Sequence, residues 1–290
     1  MDAKKIKVCV VVPVFNRINL TLRFIKSFQK SEFHDYKLVI IDDGSTDGTG
    51  KILNEMHPEI VVLPGTGDLW WSGGTNVGVR YALENDFEYV LTINNDSEVE
   101  PDTLGQLFEM AQKNPRMIIG SRIMLDREGT IWALGVSVTW NADIFLNLNC
   151  HLNDVAKTTS IINPHPVDCL TGNGTLVPIQ IFEEIGLYNY TWCPQYHGDT
   201  EFTLRAKAKG FTSSVAMDAV VYNNNYVSVP EFSISEELFS RKSGHYWRPI
   251  VFMFVTYAPK HQAKKVVKQF VWLKNRLKKQ IKKMITIGHC

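Results

Sequence analysis

Leu38-Val-Ile-Ile-Asp-Asp-Gly-Ser-Thr-Asp-Gly-Thr49 joins four apolar residues to two adjacent aspartates and a glycine-rich turn carrying hydroxyls and a third acid. The apolar run shows no polar alternation, which predicts a parallel strand buried on both faces. Asp42 and Asp43 then fall at the carboxyl end of that strand, where open α/β sheets bind their ligands. Like charges side by side repel, so such a tip is costly in a plain connector. Ser45, Thr46 and Asp47 offer oxygens that can cap a following helix. Alone, the segment also fits a capped turn with surface acids. The rest of the chain decides.

On either side of this segment the first half alternates. Strands are expected at 6–14, 37–42, 60–63, 87–93 and 117–124, with helices at 20–30, 46–56, near 76–84, and at 102–114. Strands separated by helices of this length indicate a parallel sheet with right-handed crossovers. The stretch 129–177 is richer in β-branched and aromatic residues and reads as antiparallel additions with loops. Short helices are expected at 178–185 and 200–209, then a strand at 213–222.

The last sixty residues differ in kind. Val266, Phe270, Leu273, Leu277, Ile281 and Met284 recur at three- and four-residue steps, predicting a basic amphipathic helix. Of the 31 Lys and Arg residues, 13 lie after Glu237, where no acidic residue occurs. The first 237 residues therefore hold 18 basic against 30 acidic side chains, although the whole chain carries a formal net charge of only +1. An acidic body with a basic tail points to an anionic surface for the tail, either a membrane interface or, equally well by pattern, a solvated lysine face on a packed helix. Nothing in the pattern calls for nucleic acid. The 290 residues suit one large domain plus an appendage, taken as 1–230 and 231–290.

Five cysteines without a CxxC pair fit a reduced compartment and no zinc site. The N-terminus runs directly into a strand and lacks the form of a secretory signal. No run approaches the roughly 20 apolar residues of a spanning helix.

A second acidic tip follows Tyr89-Val-Leu-Thr-Ile, namely Asn94-Asn95-Asp96-Ser97. If both strands belong to one parallel sheet, Asp42 and Asp96 share a rim with Pro13-Val-Phe-Asn-Arg17. Carboxylate, amide and hydroxyl oxygens suit Mn2+ or Mg2+ held together with a substrate diphosphate. Trp70 and Trp71, in a glycine-rich loop, are placed either to stack on a sugar and shield a diphosphate or simply to pack beneath the loop.

Together these segments resemble the nucleotide-sugar glycosyltransferases of family 2. The resemblance runs from about Val8 to Tyr222. It includes Val11-Val-Pro-Val-Phe-Asn-Arg17, the Asp42–Thr49 turn, Gly73–Leu83, Asn94–Ser97, Thr171-Gly-Asn-Gly-Thr175 and Gly198-Asp-Thr-Glu-Phe-Thr-Leu-Arg205. It implies an α/β GT-A fold: a Rossmann-like, mixed, mainly parallel sheet flanked by helices, here with a basic helical tail. It further implies an inverting, metal-dependent transfer from a UDP- or dTDP-sugar to a glycan hydroxyl on a lipid-linked acceptor. Such enzymes work in surface-polysaccharide synthesis, in the cytoplasm or peripherally at the inner face of the membrane.

Position by position, the resemblance puts Pro13, Phe15, Asn16 and Arg17 around the base, with Asp42 accepting from its imide N–H. It puts Asn95 near the ribose and Asp96 on the metal, and it makes Asp199 the catalytic base. Gly74 and Asn76 fall on the donor side, Asn76 alternatively as a helix cap. From their places near Asp199, Asn173, His197 and Glu201 are read on the acceptor side, Asn173 alternatively as a loop turn residue. Asn94-Asn95-Asp96 departs from the family's two-carboxylate motif, and Gly198-Asp199 replaces its frequent Glu-Asp pair.

Other classes fit less well. A dinucleotide oxidoreductase would place GxGxxG after the first strand, where Pro13-Val-Phe-Asn-Arg17 stands, and no GxxxxGK[ST] phosphate loop occurs. A sugar nucleotidyltransferase lacks its basic, glycine-rich loop here. A silent sugar-binding module would have no use for Asp42, Asp96 and Asp199 together.

Overall fold

The computed structural model describes residues 6–125, 127–140, 147–149, 162–223, 234–268 and 271. In chain order the elements are β1 (Val8–Val14), α1 (Ile18–Phe28), β2 (Tyr36–Asp42), α2 (Thr49–Met56), β3 (Val61–Pro64), α3 (Trp70–Glu84), β4 (Tyr89–Thr92), β5 (Glu98–Val99), α4 (Thr103–Lys113) and β6 (Met117–Met124). There follow β7 (Ile131–Ala133), β8 (Ser137–Thr139), β9 (Asn147–Asn149), β10 (His165–Val167), β11 (Thr175–Pro178), α5 (Ile179–Ile185), α6 (Gly198–Ala208), β12 (Thr212–Tyr222), α7 (Ile234–Phe239) and α8 (Trp247–Tyr257).

The main sheet runs β10-β12-β6-β11-β4-β1-β2-β3, with β5 added to β12 and β7 to β6. β1 pairs in parallel with β2 and with β4. The middle segment adds antiparallel strands as expected, yet β11 is inserted inside the sheet, antiparallel to both β4 and β6. Thus β3, β2, β1, β4, β6 and β12 point one way, and their carboxyl ends share one rim. The register sets Val14 opposite Asp42 and Val11 opposite Thr92, which brings the tips of β2 and β4 to either side of β1.

Burial explains the unbroken apolar runs. Val8, Val10 and Val12 of β1, with Leu38 and Ile40 of β2, pack on the α1 and α4 side. Cys9 and Val11, with Val39 and Ile41, pack on the α3, α5 and α6 side. Side chains alternate across a strand, so a strand covered on both faces needs apolar residues at every position. Each such side chain, fully buried, contributes about 1.5–3 kcal/mol.

α3 departs from the sequence reading. It begins at Trp70 rather than near Asn76, so both tryptophans lie in a helix and not in a loop. Its glycines let the helix lie close on the sheet. A Cβ on Gly74 would stand 2.9 Å from Pro13 Cβ, and one on Gly78 would overlap Val11. α2 starts at Thr49, later than expected, after Gly48 in the left-handed region.

The C-terminal segment rests on α6. Met253 of α8 packs with Leu204 of α6 and with Cys169. Val266 is buried against Ile250 and Phe254, while Phe270, Leu273, Leu277, Ile281 and Met284 lie outside the described residues. Cys9, Cys169 and Cys193 are buried free thiols, and burial pushes the Cys169 thiol up to about 12. Cys150 and Cys290 lie outside the described residues. Among the described residues no helix is long and apolar enough to cross a membrane.

Candidate functional site

Two loops lock each other at the shared rim. Asn16 and Arg17, at the tip of β1, both adopt left-handed backbone, with φ of 58° and 63°. Asn16 donates its backbone N–H to Ser45 Oγ at 2.7 Å and accepts from the Thr46 N–H at 2.9 Å. Asp47 accepts from Ile18 N at 3.0 Å and from Thr49 N at 3.1 Å, so one carboxylate serves the first turns of both α1 and α2.

The adjacent aspartates face opposite ways. Asp42 accepts from Ser45 N at 3.0 Å and turns toward α2, where a Cβ on Gly50 would meet its Oδ2 at 2.6 Å. Asp43 is buried, and its carboxylate accepts from Gly67 N at 2.8 Å, Leu69 N at 2.8 Å and Trp70 N at 3.2 Å. Strand alternation gives the reason: Asp43 continues the Val39–Ile41 face under α3, whereas Asp42 continues the Leu38–Ile40 face.

A cleft of about 450 Å³ opens on the α3 side of the rim. Its lining includes Pro13, Phe15, Arg17, Asp43, Trp70, Trp71, Asn94, Asn95, Asp96, Gln195 and Lys242. Of the residues singled out from sequence, Pro13, Phe15, Arg17, Asn95, Asp96, Trp70 and Trp71 therefore meet at one cavity. Asp42, Asn16, Gly74 and Asn76 do not line it. Asn16 is a loop tie, and Gly74 backs Pro13. Asn76 is buried within α3, donating to Tyr188 O at 2.9 Å and accepting from Tyr188 N at 2.9 Å.

Asp96 is the carboxylate on the β4 side. Arg17 Nη1 lies 3.4 Å from its Oδ2. Burial raises the Asp96 carboxyl above the usual aspartate range, with the Arg17 charge pulling it back. The neighbouring amides are engaged: Asn95 donates to Thr21 Oγ1 at 2.9 Å, and Asn94 accepts from Trp71 Nε1 at 3.1 Å. Asn173 Oδ1 accepts from Asn94 N at 3.1 Å and Ser97 Oγ at 2.9 Å, so it braces the turn bearing Asp96.

Trp71 carries the cleft across to α6. Its ring meets Tyr188 edge-on at 5.2 Å, its backbone N–H donates to Gln195 Oε1 at 3.1 Å, and a Cβ on Gly172 would overlap it. Gly172 N in turn donates to Asp199 Oδ2 at 2.7 Å, and Thr200 N donates to Asp199 Oδ1 at 2.7 Å. Asp199 is half-buried in the first turn of α6 and is not among the residues lining the cleft. His197, left-handed at φ 64°, bonds through Nε2 to Gly244 O at 2.8 Å. Glu201 is turned inward: it is 1% exposed, pairs with Arg205 at 3.0 Å and accepts from the Tyr257 hydroxyl at 2.5 Å. A carboxylate buried and paired in this way presents no face to an acceptor.

Sequence reasoning placed Asp43 and Asn94 at strand tips without giving either a role, and it did not single out Gln195 or Lys242. Strand parity could have found Asp43, because residues 39, 41 and 43 share a face. Lys242 reaches the cleft from the C-terminal segment, and no local pattern signals that.

The family model described as Glycosyl transferase family 2 matches residues 9–170. The chain belongs to glycosyl transferase family 2. Among its relatives is the low-salt glycan biosynthesis hexosyltransferase Agl10 of Haloferax volcanii, 26% identical over 70% of this chain and 64% of that protein. Another is the Campylobacter jejuni GalNAc(5)-diNAcBac-PP-undecaprenol beta-1,3-glucosyltransferase, 25% identical over 43% of this chain and 40% of that one. The matched stretches thus span less than two thirds of these relatives' own lengths. In fold, this family 2 chain is similar to S. aureus TarS 1–349 in complex with UDP-GlcNAc (TM-score 0.57, 16% identity, 90% of this chain and 71% of that one). It is likewise similar to GalNAc-T7 with UDP, GalNAc and Mn2+ (TM-score 0.59, 15% identity, 76% of this chain and 44% of that one). These likenesses establish the GT-A sheet architecture.

A divalent cation, present in one of those neighbours, can be tested against the donor set here. Among the described residues no three His, Cys, Asp or Glu side chains group as a metal cage. Asp43 already accepts three amides, which leaves Asp96 as the carboxylate for a hard ion. The residues fit a cation whose shell is completed by the ligand's phosphates, not one held permanently by protein alone.

Proposed function

We propose that this chain is an inverting glycosyltransferase that moves one sugar from a UDP- or dTDP-sugar to a hydroxyl of a lipid-linked glycan in surface-polysaccharide synthesis. The observation that carries the reading is the cleft itself. Asp43 and Asp96 stand on its donor side, and Asp199 lies across the Trp71–Gly172 partition. Residues 1–230 serve as the catalytic domain and 231–290 as its extension.

In this reading the nucleoside base lies against Pro13 and Phe15, near Asp43. Asp43 replaces Asp42 as the imide acceptor, because its carboxylate is the one at the cavity. Asn95 is on the ribose side, as the resemblance implies. Arg17 and Lys242 meet the diphosphate with positive charge. Asp96 would hold Mn2+ or Mg2+, which would supply positive charge to a leaving diphosphate. Asp199 takes the proton of the attacking acceptor hydroxyl, which is a poor nucleophile until deprotonated. A single displacement inverts the configuration at C1; a retained configuration through a covalent intermediate requires a second, nucleophilic carboxylate at C1. Asn173 braces the partition between the two sides, and Trp70 and Trp71 wall the sugar pocket.

The tail supports a peripheral place at the inner face of the cytoplasmic membrane. Lys260, Lys264, Lys265 and Lys268 are exposed, and Val267 and Val271 are 50% and 54% exposed beside them. Basic residues interleaved with apolar ones suit an anionic lipid surface. Loss of co-sedimentation with anionic vesicles on removing residues after 259 is the expected result.

The deciding experiment incubates the full chain with a panel of UDP- and dTDP-sugars and a lipid-linked acceptor, with and without Mn2+. Nucleoside diphosphate release and an inverted anomeric proton in the product support the reading. Pyrophosphate release would instead indicate a nucleotidyltransferase, and binding without turnover a silent module.

A further inference from the structure

The segment from Ser240 to Tyr257 touches α6 on both sides of Asp199. Two residues before it, the His197 imidazole bonds through Nε2 to Gly244 O at 2.8 Å, which fixes the Nε2–H tautomer because a carbonyl only accepts. Two residues after it, the Tyr257 hydroxyl donates to Glu201 Oε1 at 2.5 Å. Between these anchors, Phe252 stacks on Trp192 with centroids 5.3 Å apart and planes 15° apart, and Arg248 sits 5.0 Å over the same Trp192 ring. Met253 is fully buried against Leu204.

We infer that the 240–257 segment is a positioning clamp for Asp199, with His197 and Tyr257 as its anchoring side chains. The inference rests on Asp199 being the base and extends the catalytic unit into the C-terminal segment. Three observations support it. First, Phe202 and Ala206 hold the deeper half of α6 in the domain core, while its first turn packs Gly198 against Ser72 and meets the 240–257 segment through His197 and Glu201. Second, that turn is entered through a left-handed non-glycine residue, His197, a conformation that persists only where surroundings over-determine it. Third, Glu201 is almost fully buried with its charge met by Arg205, so the Tyr257 hydroxyl completes a network that orients the helix from behind. His197 and Tyr257 do not line the cleft; they act through the turn. A displacement of the base by about 1 Å costs on the order of a hundredfold in rate.

The experiment uses the full chain and four variants. Tyr257→Phe keeps the ring and deletes the hydroxyl. His197→Ala deletes the bond to Gly244, whereas His197→Gln carries an amide nitrogen at the reach of Nε2 and both lose the imidazole equally. Asp199→Asn tests the base itself. Tyr257→Phe and His197→Ala are expected to lower kcat about tenfold with donor KM and UDP affinity within about twofold, and His197→Gln to recover most of the loss. A thermal midpoint that falls while kcat holds, or a His197→Gln no better than His197→Ala, overturns the clamp. An inactive Asp199→Asn beside unaffected Tyr257→Phe and His197→Ala removes the clamp alone. A fully active Asp199→Asn removes the base assignment and the clamp with it.

Discussion

Trp71 Nε1 donates to Asn94 Oδ1 at 3.1 Å, while the far edge of the same indole fills the space beside Gly172. One side chain thus joins the turn that bears Asp96 to the loop whose amide holds Asp199. Trp71→Phe keeps most of the packing but strands the Asn94 acceptor, for a loss of about 1 kcal/mol. Trp71→Ala opens a cavity and costs about 3–5 kcal/mol. Gly172→Ala disturbs the same contact from the other side, and urea unfolding of all three ranks them.

Asp43 and Asp42 separate by measurement. Asp43→Ala leaves the amides of Gly67, Leu69 and Trp70 without their acceptor, and each buried donor left unpaired costs about 1–3 kcal/mol. Asp43→Asn is the milder probe, expected to weaken UDP binding about tenfold or more through loss of a charged acceptor. Asp42→Asn leaves UDP binding within about twofold, since only the Ser45 amide depends on it. Titration calorimetry with UDP and dTDP reads both.

Arg17 and Asp96 compete for one charge. Asp96 must be ionised to hold a cation, and burial keeps its carboxyl above the ordinary range while Arg17 opposes that shift. Protonation therefore removes the ligand earlier on acidification than an ordinary aspartate would. Mn2+-dependent UDP affinity should begin to fall at a higher pH than it would for an ordinary aspartate. Arg17→Ala removes the lowering charge and moves that decline to still higher pH. The same variant weakens UDP binding in the absence of metal, because a phosphate-facing cation is gone.

Asp199→Asn should lower kcat by about 10²–10⁴ and leave UDP affinity intact. The asparagine keeps one carbonyl oxygen for the Gly172 or Thr200 amide, so folding loses only about 1 kcal/mol. Rapid-quench turnover, calorimetric titration and thermal unfolding on one preparation distinguish a missing base from a damaged fold.

Glu201 and Arg205 test the buried pair beneath α6. Removing either partner alone leaves an uncompensated charge and is expected to cost about 3–5 kcal/mol, visible as a lowered unfolding midpoint.

The alternating strands and helices, the shared rim and the family were legible in order of residues, because strands buried on both faces must be continuously apolar and their ends must be polar. Half of the cleft lining was legible too: Pro13, Phe15, Arg17, Asn95, Asp96, Trp70 and Trp71 all belong to it. What misled was local. Gly73 and Gly74 read as a loop, yet they lie in α3, where Gly74 together with Gly78 is the contact that lets the helix lie against β1 and β2. Asn76 read as a cap or donor contact, yet it binds both backbone groups of Tyr188. Glu201 read as an acceptor residue, and only its burial beside Arg205 and Tyr257 shows otherwise.

Sequence by itself determined the sheet, its ligand-bearing edge and the family, since hydrophobic periodicity and turn chemistry act over a few residues and leave a trace at each. Tertiary structure alone decided which face of the sheet carries the cleft, how Trp71 bridges its sides, and that a segment more than forty residues downstream meets His197 and Glu201. Those outcomes depend on which surfaces meet across the fold, and residues far apart in the chain carry no local record of the partner they will touch.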